Sequence, residues 1–293
     1  MLFDETTLRK LKQLTLVASR VRTGAIKGDR RSSRRGSSVE FADYRDYTPG
    51  DDLRRLDWNI YARLERPFIK MFEEEEDLAV YILLDGSRSM DWGEGEQHKF
   101  LYALRLCAGL GAIALASGDA LSFALLQSGG IRAGFGPMRG EASLSRMFDV
   151  LEGLQPGGST QLNESLHQFA VTPRRPGLVI LISDLLSADQ PELGLRPLLA
   201  RGSEAAILHL LSPDELDPPL SGDLQLVDVE TGAQQVVSLD GRLRTLYQDR
   251  VRSWIRDTRG ECRKHGVGYV QFSTARPWDQ LVLLELRRSG ILK

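Results

Sequence analysis

The stretch Leu78-Ala79-Val80-Tyr81-Ile82-Leu83-Leu84-Asp85-Gly86-Ser87-Arg88-Ser89-Met90 decides how the chain is read. Its first seven residues are continuously apolar, the pattern of a strand buried on both faces of a parallel sheet. Where the run gives out, a carboxylate and two hydroxyls stand at alternate positions: Asp85, Ser87 and Ser89. Three readings are open for them: a nucleophile with its base, a turn with a helix cap, or oxygen ligands for a metal.

Working outward, further strand-like runs occur at Ala120–Leu126, Leu178–Ser183, Ala205–Leu211 and Val267–Phe272. Helical periodicity falls between them, near residues 98–117, 141–153, 162–170, 190–201 and 242–265, with a last helix from Trp278 to about Arg288. Strands alternating with helices predict an α/β fold, a doubly wound and mostly parallel sheet flanked by helices, Rossmann-like in layout. Two hairpins are expected besides, turning at Gly129-Gly130 and near Thr231-Gly232. The second is expected to be a small insertion near 213–240.

In such a sheet ligands bind outside the carboxyl ends of the strands. Two strands end in a carboxylate, Asp85 and Asp184, and the loop "QPGGSTQL" offers Thr160, with Ser159 beside it. Asp85, Ser87, Ser89, Thr160 and Asp184 together supply only hard oxygens, which suit Mg²⁺ or a similar dication such as Mn²⁺ or Ca²⁺. A nucleophile fits less well, because no G-x-S-x-G elbow is present. The four histidines, His98, His167, His209 and His265, form no triad or zinc pattern, and no P-loop motif exists.

Bulk properties bound the rest. At 293 residues and a net charge of −2, the chain is long enough for a sizeable core and carries no general bias toward nucleic acid or anionic membrane. Two cysteines imply no disulfide framework and fit a reducing cytoplasm. No membrane span or secretory leader is read; the longest apolar candidate, Leu101 to Ala116, is broken by Arg105.

Residues 1–76 read as an irregular N-terminal extension, with residues 77–293 as the main domain. The extension opens with an amphipathic helix carrying Leu8, Leu11, Leu14, Val17 and Val21, with Asp4 as its N-cap. A basic run from Arg20 to Arg35 follows, holding seven Lys or Arg against one Asp. It reads as a solvated loop; nucleic-acid binding through it is the weaker alternative, since the aromatics lie elsewhere. Beyond it, "EFADYRDYTPGDDLRRLDWNIYARLERPFIK" mixes both charges with aromatics and keeps no clean period. Arg45, Tyr47, Asp51, Asp52, Arg54, Asp57, Trp58 and Arg63 are its candidate partner-binding residues, with an internal clasp as the plainer reading.

The order D-x-S-x-S, then Thr, then Asp resembles the metal-ion-dependent adhesion site of von Willebrand factor A domains. The stretch from Glu40 to Lys70 resembles the signature of the bacterial domain of unknown function 58 family, through Glu40, Phe41, Arg45, Tyr47, Pro49, Gly50, Asp51, Asp52, Arg54, Asp57, Trp58, Ala62, Arg63 and Lys70. That resemblance implies a von Willebrand factor A-like fold and a partnership with a MoxR-type AAA+ ATPase. It also implies a metal to which a partner's or client's carboxylate donates the last ligand, hence an adaptor or co-chaperone rather than an enzyme. Mg²⁺-dependent phosphoester hydrolysis is the enzymatic alternative. Many members carry two N-terminal membrane helices; none is read here, as in the shorter soluble kind. Whether Arg88 and Met90 flank such a metal or pack beneath it stays open.

Overall fold

The computed structural model describes the chain except residues 1–3, 19–38, 75–76, 160, 188–189, 220–221, 229–231 and 240. In chain order the strands are β1 (Val39–Asp46), β2 (Phe68–Glu74), β3 (Ala79–Asp85), β4 (Ala120–Gln127), β5 (Gly130–Met138), β6 (Leu178–Ser183), β7 (Glu204–Leu211), β8 (Gly222–Val227), β9 (Gln234–Leu239) and β10 (Gly268–Ser273). The chain divides into two compact units. One comprises Met1–Thr23 with Leu78–Lys293, the other Gly24–Asp77.

The larger unit is built on a six-stranded sheet of order β10-β7-β6-β3-β4-β5, parallel except for the edge strand β5. All seven residues of β3 are buried, as their unbroken apolar run requires. Alternate side chains enter different cores. Val80, Ile82 and Leu84 join a cluster with the Lys99–Ala116 helix, and Ala79, Tyr81 and Leu83 join one with Leu162, Leu166 and Phe169. Each such aliphatic side chain contributes about 1.5–3 kcal/mol by leaving water.

The Lys99–Ala116 helix is long and apolar enough to cross a membrane by length and composition, yet 83% of it is buried inside this unit, as a core helix is. Its Gly109 gives the Trp278 ring its place: a β-carbon there would stand 2.8 Å from Cζ3. Arg105, the charge that interrupts the apolar run, pairs with Glu96 at 3.4 Å.

The N-terminal helix spans Glu5–Leu11 only, with Asp4 Oδ1 accepting from the Thr7 amide at 2.9 Å as the expected N-cap. Beyond it Leu14 and Leu16 are buried in extended chain, and Leu16 bridges Leu292. Thr15 and Lys293 exchange backbone bonds at 3.0 and 3.1 Å. The two units divide after Asp77, and the first helix falls in the sheet-containing unit. Val21 lies outside the described residues.

The Gly24–Asp77 unit is not irregular. β1 and β2 pair antiparallel, with a register shift between Phe41 and Asp43, and a helix spans Trp58–Leu64. That shift adds a residue to one strand, so no period of two runs through it. The Arg20–Arg35 run lies outside the described residues. The second hairpin, β8 with β9, forms as expected.

Candidate functional site

The chain passes from β3 to β4 on one side and later crosses to β6 on the other. The switch point thus lies at the carboxyl ends of β3 and β6, where Asp85 and Asp184 stand. Asp85 is 2% exposed and Asp184 fully buried.

Asp85 Oδ1 accepts from the Ser87 amide at 2.9 Å, and Oδ2 accepts from the Ser183 hydroxyl at 2.6 Å. Ser183 Oγ in turn accepts from the Leu185 amide at 3.0 Å, so this hydroxyl fastens one strand end to the other. The Ser87 and Ser89 hydroxyls are 3.0 Å apart. No Lys or Arg pairs with Asp85 among the described residues. Burial, then the neighbouring charge of Asp184, push its carboxyl up to about 6.

Gly86 is required for closeness. A β-carbon there would meet Leu125 Cδ1 at 2.6 Å and Gln127 Nε2 at 2.9 Å. Its carbonyl accepts from Gln127 Nε2 and from the Gly157 amide, both at 2.7 Å, while the Arg88 amide donates to Gly158 at 3.0 Å. The loop that leads to Thr160 is thereby bound, backbone to backbone, to the D-x-S-x-S loop. Thr160 itself lies outside the described residues. Met90 packs beneath the rim, fully buried, whereas Arg88 is exposed.

Asp184 differs from Asp85 in having a cation. Lys99 Nζ lies 2.6 Å from Asp184 Oδ2 and 2.5 Å from Glu215 Oε1. Asp184 Oδ1 accepts from the Leu186 amide at 3.2 Å. Its carbonyl accepts from His209 Nε2 at 2.9 Å, which puts the proton on that nitrogen and leaves Nδ1, 2.5 Å from the Tyr269 hydroxyl, as an acceptor. Burial holds the His209 imidazole down to about 4, so it is neutral. Leu185, next in sequence, takes a left-handed backbone with φ of 53° while fully inside. Such strain in a branched residue costs about 1–2 kcal/mol and fixes the direction of this loop.

Lys99, Glu215, Ser183 and His209 were not legible as site residues. Lys99 is 85 positions from Asp184, and a lysine opening a helix is ordinarily solvated. The sequence's one signal is that this lysine opens a helix whose one other charge is Arg105. Among the described residues no three His, Cys, Asp or Glu cluster as a metal site. The fit to a dication therefore rests on one carboxylate without a counter-ion among the described residues and two adjacent hydroxyls, a hard donor set that suits Mg²⁺. A cleft of about 660 Å³ lies elsewhere on this unit, between Thr7, Arg105, Thr274 and Trp278, and includes none of these residues.

In the Gly24–Asp77 unit the charged residues clasp one another. Arg45 donates to Asp51 Oδ1 at 2.8 Å and to Thr48 Oγ1 at 3.1 Å. The Arg45 guanidinium, then the Thr48 amide, lower the Asp51 carboxyl to about 2. Asp52 caps the turn at Arg54, and Asp57 caps the following helix through the Asn59 and Ile60 amides while accepting from Tyr44. The Tyr47 amide donates to Pro67 at 3.0 Å. Arg54, Trp58 and Arg63 are exposed, with Trp58 set edge-on against Tyr61. The eight candidates thus divide into internal fasteners and an exposed remainder.

The family model described as "Protein of unknown function DUF58" matches residues 43–255, well over half of the chain. "Uncharacterized protein Rv1480" of Mycobacterium tuberculosis is 26% identical over 296 residues, covering 99% of this chain and 92% of that relative. "Uncharacterized protein MAV169" of Mycobacterium avium is 29% identical over 121 residues, covering 41% of this chain and 71% of that relative. Among solved structures, the conserved hypothetical protein BatB from Bacteroides thetaiotaomicron aligns with a TM-score of 0.44 at 15% identity, over 73% of this chain and 98% of its own. A von Willebrand factor type A structure from Catenulispora acidiphila aligns with a TM-score of 0.35 at 15% identity, over 48% of this chain and 35% of its own.

Proposed function

The chain belongs to the DUF58 family, and from that premise we propose that it is a non-enzymatic protein-interaction module whose recognition centre is a dication at Asp85. The observation that carries this is Asp85 itself: a carboxylate 2% exposed, at the switch point, without an ion-pair partner among the described residues and flanked by two hydroxyls. Leaving such a charge uncompensated is costly, and a hard cation offsets it.

Asp85, Ser87 and Ser89 would hold Mg²⁺, with Mn²⁺ or Ca²⁺ as substitutes. Thr160, directly or through water, and Asp184, through water, complete the set that the adhesion-site resemblance implies. Bound there, the ion supplies a Lewis-acidic point for a carboxylate offered by a partner. The two loops that bear Asp85 and Asp184 also expose Trp92 and Leu186, side chains of the kind that anchor protein contacts. The partner we propose is a MoxR-type AAA+ ATPase or its client, in the cytoplasm. Against hydrolysis, the imidazole nearest Asp184 is buried, neutral and bonded through both nitrogens.

Calorimetric titration of Mg²⁺ into the wild type and Asp85→Ala tests the site. Binding in the wild type with at least tenfold weakening in the variant is expected, since removing the direct carboxylate lowers ligand charge. Equal affinity would sink the assignment.

A further inference from the structure

We infer that Lys99 is a positioning residue of this site: its ammonium holds the Asp184 carboxylate, so a dication at Asp85, Ser87 and Ser89 finds one direct carboxylate and takes its next from a partner. The inference deepens the metal-dependent reading and rests on it.

Lys99 stands where a lysine is least expected. It is the first residue of the Lys99–Ala116 helix, at the end where the helix dipole opposes a positive charge, and its side chain is wholly buried. Lysine is almost never fully buried unless paired. Here it is paired twice, with carboxylates from the loop after β6 and the Pro213–Leu216 helical turn after β7.

Both carboxylates are themselves held from behind. Glu215 Oε2 accepts from the Ser212 amide at 2.7 Å while the Ser212 hydroxyl accepts from the Glu215 amide, a reciprocal cap that fixes the glutamate. Asp184 is bonded at Oδ1 by Leu186, at Oδ2 by Lys99 and at its carbonyl by His209. The loop between them is turned by the left-handed Leu185. Both carboxylates are thus bonded at each oxygen, but Asp184 has an ammonium on one of them, whereas Asp85 has an amide, a hydroxyl and no cation among the described residues.

Asp85, Asp184 and Glu215 with Lys99 leave two negative charges, the charge of one dication. Balance is reached without Asp184 leaving Lys99. An ion held by a single direct carboxylate keeps residual positive charge, which an incoming carboxylate then meets. Freed from Lys99, Asp184 would itself occupy that place, giving tighter metal binding and weaker capture of a partner.

Mn²⁺ is the probe, read by calorimetry and by water-proton relaxation of the bound ion, which reports how many waters it keeps. Lys99→Met alone strands two buried carboxylates and is expected to fold poorly. Lys99→Met/Glu215→Gln keeps the cluster's net charge and is the informative variant, its fold checked by circular dichroism. About tenfold tighter Mn²⁺ binding is expected there, from one more direct carboxylate, with a lower relaxation enhancement. Asp184→Asn gives the second measurement, in a variant that keeps Lys99 on Glu215. Its bound Mn²⁺ should relax water as the wild type does. Unchanged affinity and relaxation in the double variant, or a raised enhancement in Asp184→Asn, overturns the role of Lys99 while Asp85-dependent binding leaves the site standing. Equal Mn²⁺ binding by the wild type and Asp85→Ala overturns both.

Discussion

Asp51 in the Gly24–Asp77 unit and Asp85 in the sheet-containing unit are alike in sequence terms. Each accepts from a backbone amide within three residues along the chain, Thr48 for one and Ser87 for the other. Their surroundings drive them apart. Asp51 meets a guanidinium at 2.8 Å, and its carboxyl is lowered to about 2; Asp85 is buried beside the charge of Asp184, and its carboxyl is raised to about 6. One is a finished fastener, satisfied by its own unit. The other is a buried acid to which the described residues supply an amide, a hydroxyl and no cation. The contrast separates structural from recognition charge: a paired carboxylate has little left to offer a ligand, and an unpaired one is costly until a ligand arrives.

The largest effect that would break this comparison is in Asp85→Asn without metal. The raised carboxyl means the folded chain binds a proton that the unfolded chain has lost. The resulting stability is fully present below the ordinary value of 3.8 and is lost as pH rises through about 6. The substitution removes that loss. In chelator, Asp85→Asn should therefore melt above wild type at pH 7, by roughly 2–3 kcal/mol at the upper limit set by the shift, with the difference shrinking toward pH 4. Neighbours such as His209 titrate in both proteins and cancel in the difference. Added Mg²⁺ should raise the melting temperature of the wild type alone. A variant less stable than wild type at pH 7 in chelator would show that Asp85 carries a structural charge, like Asp51.

Much of this site was legible in the sequence, and the part that was not is instructive. A continuous apolar run identifies β3 and β6 because both faces are buried, and the residue that ends each run then falls at the sheet's rim. Asp85 and Asp184 follow from that alone. Lys99 does not, because its contacts with Asp184 and Glu215 span 85 and 116 positions and no local pattern encodes them. Ser183 read as the last residue of a strand, which it is, yet its hydroxyl joins the two rims. The spacing of Leu14 and Val17 predicts a longer first helix than forms, because the chain there turns to pair with Ile291 and Lys293. In the smaller unit, one bulge concealed two strands.

A smaller effect is expected at Gly86. Its backbone needs no left-handed angle; what it needs is space against Leu125 and Gln127. Gly86→Ala should cost roughly 1–2 kcal/mol through overpacking, and should weaken Mg²⁺ binding by more than that loss of stability accounts for, because the Gln127 and Gly157 bonds to the Gly86 carbonyl hold Ser87 in place. Melting curves and calorimetry on one sample separate the two. A loss confined to stability would place Gly86 with the core and not with the rim.

The smallest effect belongs to the clasp, and its measure is a titration. Asp51 folds with its carboxyl below the ordinary range, so its contribution is present above 3.8 and lost as pH falls through about 2. Arg45→Ala removes the largest cause of that lowering and leaves the Thr48 amide and hydroxyl in place. The Asp51 carboxyl, followed by NMR through its side-chain carbon, should move up toward 3.8 without reaching it. Because Arg45 is half exposed and the pair faces water, melting at pH 7 should scarcely change, as exposed ion pairs contribute little. Mg²⁺ affinity should be unchanged as well. If it fell, the clasp would be coupled to the metal rim, and the distinction between a finished fastener and an open recognition charge would not hold.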